Sequence, residues 1–513
     1  MVRATAETPG LRPVPRPQAG RAAAAAAPAA DFLGPLVLFA FMMSLAVPGT
    51  FGAGPVNLTV YRLVLIAACI PLGLRWISGR AGPVTAVDLL YLASCVWISI
   101  ALVMVHSLSR IAFVGTNFIE LFGAYLVGRV LVRDAAGHRR FVRAMLLLVV
   151  VLFPFALLEF LTGTKLLNMV FGTVLSMREA GGAQQRLGFT RAATSFSHPI
   201  HFGLFASLVF ANVYVLFWRS RTLWRLGATG FVAVAAMLSI SSSALFSLVL
   251  QTAMIVWDRG FAFLKSRWVI GIALGTATLL FLLVSVQGGL FTYINENLIF
   301  AQGAGEHRLD VYHYGMLEVL RHPFFGVGLN DWARPFWRPH PTLDSFWLMT
   351  AVRHGIPGIL LLMIGLVTGM LRISAARGLD EDGRHYRSGY LVALCGLILT
   401  LSTVHIWGPV TVLVMAYLGA GAWFYNGDHR AASADPARLR RERAAARRAG
   451  AVDGAASTPT ARESEAIVRP QPVGYEKEPG RRHGSATVAG GTAGRGGRGA
   501  GGTAAGPRPR KRV

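Results

Sequence analysis

Arg139-Arg-Phe-Val-Arg-Ala-Met-Leu-Leu-Leu-Val-Val-Val-Leu-Phe-Pro-Phe-Ala-Leu-Leu-Glu-Phe-Leu161 decides how this chain folds. From Phe141 to Leu161 the run is almost wholly apolar, and arginines crowd its start. A membrane helix needs about 20 mostly apolar residues to cross the hydrocarbon. By that rule the chain offers spans at 32–48, 57–74, 87–105, 111–132, 141–161, 199–218, 224–240, 242–257, 268–287, 356–372, 389–407 and 409–425. The expected fold class is therefore all-α, a polytopic membrane protein with about twelve transmembrane helices. Composition agrees: of 513 residues 53% are apolar and 15% charged, against about a quarter charged in a soluble chain. Cys69, Cys95 and Cys395 all lie inside apolar runs, which leaves neither a disulfide framework nor a zinc-ligand spacing.

The arginines set an orientation. Lys and Arg are retained in short cytoplasmic connections. The even connections hold Arg75 and Arg80, then Arg129, Arg133, Arg139, Arg140 and Arg143. They continue with Arg219, Arg221 and Arg225, with Arg259, Lys265 and Arg267, and with Arg372, Arg377, Arg384 and Arg387. The short odd connections hold Arg110 alone. That asymmetry predicts both termini in the cytoplasm, with a disordered arm over 1–31, a membrane domain over 32–425 and a disordered basic tail over 426–513. Residues 427–513 carry 18 Lys plus Arg against 8 Asp plus Glu, so much of the formal charge of +25 is tail and topology. The nucleic-acid binder that such a charge would suggest is thereby excluded, and anionic membrane lipid is the expected partner of the tail.

Two odd connections, about 162–198 and 288–355, are long and fall on the expected outer face, where function on a membrane scaffold tends to lie. The first carries Arg178, Arg186 and Arg191, then Ser195-Phe-Ser-His198-Pro at a span mouth. In the second, Leu309, Tyr312, Met316, Leu317 and Leu320 recur at helical spacing and predict an amphipathic helix, lying on the membrane or against the bundle and ended by Pro323. Trp332, Arg334, Trp337 and Arg338 follow, then His340 and Asp344. Guanidinium forks beside indoles suit a ligand that joins phosphate to sugar, and they equally suit interfacial anchoring.

Taken in order, Arg191 and Ser195-Phe-Ser-His198-Pro, the Ser241-Ser-Ser-Ala-Leu turn, Arg308, His322-Pro-Phe-Phe-Gly326-Val-Gly328, Asp344 and Arg353-His-Gly355-Ile-Pro-Gly358 resemble the O-antigen ligase and polymerase family of bacterial envelopes. The resemblance covers roughly 32–425. It implies a metal-independent glycosyltransferase of the outer membrane face, with no cofactor, acting on glycan linked to undecaprenyl pyrophosphate. The acceptor would be another glycan or a lipid, and a flippase or chain-length regulator would be a partner. One departure stands out. The family's His-Asn pair falls on Asp344-Ser345, and its acidic residue two before the first Gly of the Gly-x-x-Gly entry is Arg353. This departure favours polymerisation of capsular or exopolysaccharide repeats over ligation to a lipid-A core.

Transfer from a pyrophosphate needs charge neutralisation on the leaving group and a base for the acceptor hydroxyl. Arg191 is expected to do the first, with Arg186 and Arg308 as further candidates. Asp344 or His340 would do the second. Arg338, Arg353, His198 and Trp337 complete the expected substrate-binding set. Glu120 and Glu159 fall inside spans and are expected to pair or face the interior, Arg62 being a candidate partner. Asp88 reads as an interfacial or cap residue, His201 and His405 as core histidines, and Glu318 as solvated helix face. A lipid-linked oligosaccharide flippase is the reading from another class, but a transporter favours midplane charges in two similar halves, and no internal repeat is present.

Overall fold

The computed structural model describes residues 28–53, 56–176, 184–285, 304–337 and 342–426. Most of the expected arm (1–27) and tail (427–513) lies outside them. The fold is mostly helical. In order come α1 (Pro28–Ser44), α2 (Val60–Ile77), α3 (Ala86–His106), α4 (Ile111–Phe118), a π-helical turn (Ile119–Gly123), α5 (Ala124–Leu131), α6 (Ala135–Thr162) and α7 (Leu166–Phe171). Next are α8 (Pro199–Leu216), α9 (Thr222–Met237), α10 (Ser242–Gly260), α11 (Arg267–Ser285) and α12 (Ala304–Arg321). The last are α13 (Phe346–Ala375), α14 (Glu381–Thr403), α15 (Pro409–Ala420) and α16 (Trp423–Asn426). The chain is not purely α: β1 (Phe51–Ala53) pairs antiparallel with β2 (Val56–Leu58), and β3 (Gln185–Arg186) with β4 (Phe189–Thr190), both within connections.

Five stretches among the described residues are long and apolar enough to cross a membrane: Val60–Ile77, Ala86–Leu131, Ala135–Thr162, Pro199–Leu216 and Phe346–Ala375. Ala86–Leu131, at 46 residues, is too long for one crossing, since a helix rises about 1.5 Å per residue against about 30 Å of hydrocarbon. It is broken at Ser107, whose φ of 57° is left-handed, and α4 turns back against α3. On α2, Tyr61, Leu65, Ala68, Leu72 and Trp76 are buried while Leu63, Ile66, Ile70, Leu74 and Ile77 are exposed. A helix apolar on every side needs an apolar solvent. In α8, by contrast, 89% of the span is buried, so α8 is the central post of the bundle.

The connections sort into two ends. At one, Thr50 pairs with Ser176, Ser195 reaches the Leu45 carbonyl, Ala192 bonds Leu238, Leu329 bonds His106, and Phe346 bonds Val404. At the other, Asp382 receives Arg139, Arg219 and the Trp218 indole, Arg267 pairs with Asp258, and Asn426 reaches Pro83. We refer to these as the loop end and the arginine end. Small residues let α5 and α15 touch backbone to backbone: a Cβ on Gly128 or Gly419 would run into a carbonyl of the facing helix.

Two acids of the bundle, Glu120 and Asp88, are paired with arginines. Glu120, on the π-helical turn, receives Arg62 Nε at 2.7 Å. Asp88 does cap α3 through a capping box with Thr85, and it also holds Arg129 (2.8 Å) and the Tyr125 hydroxyl (2.6 Å). Arg129, expected only as a topological arginine, is fully buried and also bonds the carbonyls of Ala81 and Pro83.

The amphipathic helix α12 forms, and the face it packs on protein is not the one that carries Tyr312, Met316 and Leu320. Val311 and Val319 enter a small core with Val327, Trp332, Leu343, Leu348, Met349 and Val352, while Tyr312, Met316 and Leu320 remain exposed. Gly315 lets Leu348 approach on the buried side. Glu318, expected to be solvated, is 4% exposed, its carboxylate paired with Arg321 at 3.1 Å and close to His322. Trp332 is a core residue rather than an anchor or a sugar platform.

Candidate functional site

The loop end is organised by two interlocks. In the first, the turn after α12 docks on a kink inside α13. Gly355 there has φ 75° and ψ 176°, a region open only to glycine. Val327 N donates to Val352 O (2.9 Å), Gly328 N to Arg353 O (3.0 Å) and Ile356 N to Pro323 O (2.7 Å). Trp97 of α3 fastens both sides, its indole N–H donating to His354 O (3.0 Å) and its ring stacking on Phe325 at 5.6 Å. The two glycine-rich motifs are thus halves of one backbone joint. Gly355→Ala would push a Cβ into the Phe324 carbonyl and is expected to cost at least about 1–3 kcal/mol. Limited proteolysis of residues 322–345 should show faster cleavage in that variant than in wild type; equal rates would contradict the joint.

The second interlock carries the basic site. Segment 190–195 lies along the turn between α9 and α10 and is anchored from below by Glu159 of α6. Glu159, 1% exposed, accepts the backbone N–H groups of Ala193 (3.1 Å) and Thr194 (2.8 Å) through one oxygen. Arg191, 6% exposed, donates through Nε to Ser239 O (3.0 Å) and through Nη1 to Gln184 Oε1 (2.8 Å). Its Nη2 is buried without a partner, and no carboxylate among the described residues forms an ion pair with it. Arg186 lies alongside, Nη1 on Ile240 O at 3.2 Å. Burial, and then the charge of Arg186, lower the Arg191 pKa to about 10, so it remains a cation at neutral pH.

His198 begins α8, its Nδ1 accepting Ile200 N (3.2 Å) and its Nε2 lying 3.0 Å from the Gln184 amide. Burial, with Arg191, Lys165 and Arg186 nearby, lowers its pKa to about 4, so the ring is neutral and the positive charge of the site is that of the arginines. A buried guanidinium short of one acceptor and unpaired with any acid among the described residues favours an incoming anion.

The connector Val404–Gly408 joins this site to α13. Phe346 N donates to Val404 O (3.1 Å), and His201 Nε2 meets His405 O at 3.1 Å. Trp407 packs edge-on to His201 at 4.1 Å and lies 6.3 Å from His198.

Of the expected site residues, Arg186, Arg191 and His198 come together. Arg353 sits at the Gly355 kink, half-buried, and Asp344 lies half-buried two residues before Phe346, at the connector. Trp337 is 58% exposed and packs on Phe336. Arg338, His340 and the side chain of Arg308 lie outside the described residues. Sequence reasoning missed Gln184, the carbonyls of Ser239 and Ile240, and Trp407, and it underrated His201 and His405. The one signal available was the Gly408-Pro409 break next to Trp407.

Glu159→Ala is expected to leave two buried N–H groups without an acceptor, at about 1–3 kcal/mol each, and to displace Arg191. Glu159→Gln keeps an acceptor oxygen and should retain most activity. Rates of the glycosyl transfer expected from the sequence, measured for the two variants on equal amounts of folded protein, test this; a Gln variant as inactive as the Ala variant would show that the charge itself is required.

No curated protein matches the chain significantly. Residues 229–363 match the family model described as O-antigen ligase, a stretch from within α9 into α13 that holds the serine turn and the Gly355 joint, with Arg191 upstream and Trp407 downstream. Over that stretch the chain is similar to the O-antigen ligase family.

Proposed function

We propose that the protein is a metal-independent membrane glycosyltransferase that joins undecaprenyl-pyrophosphate-linked glycan repeats on the outer face of the bacterial inner membrane. The single observation that carries the reading is Arg191: a buried cation, held in place by Gln184 and Ser239, with one unpartnered N–H pair. The acceptor hydroxyl oxygen attacks the anomeric carbon while the bond to the pyrophosphate oxygen breaks, which inverts that centre. Arg191 and Arg186 stabilise the charge gathering on the departing polyprenyl pyrophosphate. The hydroxyl proton passes to Asp344 or to His340. Arg308, Arg338 and Arg353 are further phosphate contacts. His198 orders Gln184. Trp407, 39% exposed beside His198, offers the pyranose face that sequence reasoning assigned to Trp337.

Topology completes the reading: twelve spans, both termini cytoplasmic, a basic tail over 426–513 able to touch anionic inner-leaflet lipid, and a flippase or chain-length regulator as partner. The alternation of connections between loop end and arginine end supports it, as does the concentration of arginine at the latter.

Polymerase is preferred to ligase because Asp344-Ser345 replaces the family's His-Asn pair. The description of the matching family favours ligase. Gene deletion separates them: loss of long surface chains with single repeats still attached indicates a polymerase, whereas long carrier-linked chains that never reach an acceptor indicate a ligase.

A further inference from the structure

We infer that the first turn of α10 forms the second half of the anion seat, holding one phosphoryl group of the donor between backbone amides, Ser242 and Arg191. The inference rests on the reading of Arg191 as a ligand of the leaving group. The first amides of any helix lack partners within it and carry the positive end of its dipole. They are normally capped by a side chain. Here Ser241 occupies the N-cap position with extended backbone (φ −101°, ψ 117°), yet its side chain accepts from none of the first-turn backbone amides. Its hydroxyl is instead 3.0 Å from that of Ser243.

Ser242, 8% exposed, has a buried hydroxyl with no partner. Arg191 Nη2 is likewise buried and unpartnered. Both arginines are fixed at this helix start, Arg191 on Ser239 O and Arg186 on Ile240 O. Ile240 itself has φ 41°, an uncommon conformation for a β-branched residue, and the turn it makes turns those carbonyls to the guanidiniums. An uncapped helix start and an orphan hydroxyl therefore lie just after the Ser239 carbonyl that holds the guanidinium with the orphan nitrogen. A phosphate oxyanion is the chemistry that satisfies all three. Charge building on the leaving group would then be met by two guanidiniums and by the dipole of a 19-residue helix.

The test uses the full-length protein in detergent with inorganic pyrophosphate as the probe, affinity being read by calorimetry. Ser242→Ala removes the hydroxyl. Ser242→Pro removes the hydroxyl and one amide donor while leaving the helix start intact, because proline suits the first helical position and Ser241 already has the extended backbone that must precede it. Arg191→Ala reports on the underlying reading. Expected are loss of measurable binding in Arg191→Ala, weakening of about tenfold or more in Ser242→Pro, and a smaller loss in Ser242→Ala, with thermal midpoints of the Ser242 variants near wild type.

Wild-type affinity in both Ser242 variants alongside loss in Arg191→Ala would overturn the inference and leave the role of Arg191 standing. Retained binding in Arg191→Ala, or no binding by wild type, would overturn both. If Ser242→Pro does not fold, Ser242→Ala decides: unchanged affinity there overturns the inference.

Discussion

Replacing Arg191 with alanine is expected to lower glycosyl transfer by about 100- to 1,000-fold, the usual loss when one preorganised donor to developing transition-state charge is removed. Folding should survive, because the segment around it is held by backbone bonds, Ala193 and Thr194 to Glu159 and Ala192 to Leu238, that do not involve the side chain. Arg191→Lys should recover little. A lysine offers a point charge and cannot serve Ser239 O, Gln184 Oε1 and a phosphate oxygen together, whereas a guanidinium presents its donors in a fixed fork. The measurement is product length against time from membranes containing lipid-linked repeats, normalised to the amount of folded protein. An alanine variant that elongates glycan at the wild-type rate would remove Arg191 from the mechanism.

The second large effect lies at the opposite end and leaves the chemistry alone. Asp88→Ala strips the counter-ion from Arg129 and the acceptor from the Tyr125 hydroxyl, both fully buried. Removing one partner of a buried ion pair costs about 3–5 kcal/mol because the other charge is left uncompensated. The thermal midpoint of the purified protein should therefore fall sharply, while activity per folded molecule stays near wild type. The double variant Asp88→Leu with Arg129→Met should recover much of that loss, since neither charge is then stranded. A single variant as stable as wild type would mean that the pair carries no stabilising load.

Helix positions were legible in the sequence because lipid imposes a crude rule: every residue of a crossing segment, facing inward or outward, is apolar, as α2 illustrates with buried Leu65 and exposed Ile66. The same rule made Glu120, Glu159 and Arg62 stand out, and the structure pairs Arg62 with Glu120. It does not say which face of α12 packs on protein. There Gly315 and the internally paired Glu318 make a better contact face than Tyr312, Met316 and Leu320, and an apolar count cannot see that.

Arg186, Arg191 and His198 could be found because they cluster in sequence at the mouth of a span. The groups that hold them could not. Ser239 and Ile240 act through carbonyls, which carry no residue signature. His405 and Trp407 reach His201 across some two hundred residues. The glycines of the 322–328 and 353–358 motifs were noticed as a resemblance, whereas their physical reason, the joint between Val327, Gly328 and the α13 kink, exists only in three dimensions.

The most direct test of the central claim is reconstitution of the purified protein in vesicles with polyprenyl-pyrophosphate-linked repeats, without nucleotide or ion gradient. Longer carrier-linked chains together with released polyprenyl pyrophosphate, both abolished by Arg191→Ala, are the predicted result. Repeats that cross the bilayer unjoined, with no pyrophosphate released, would contradict the account and identify a transporter instead.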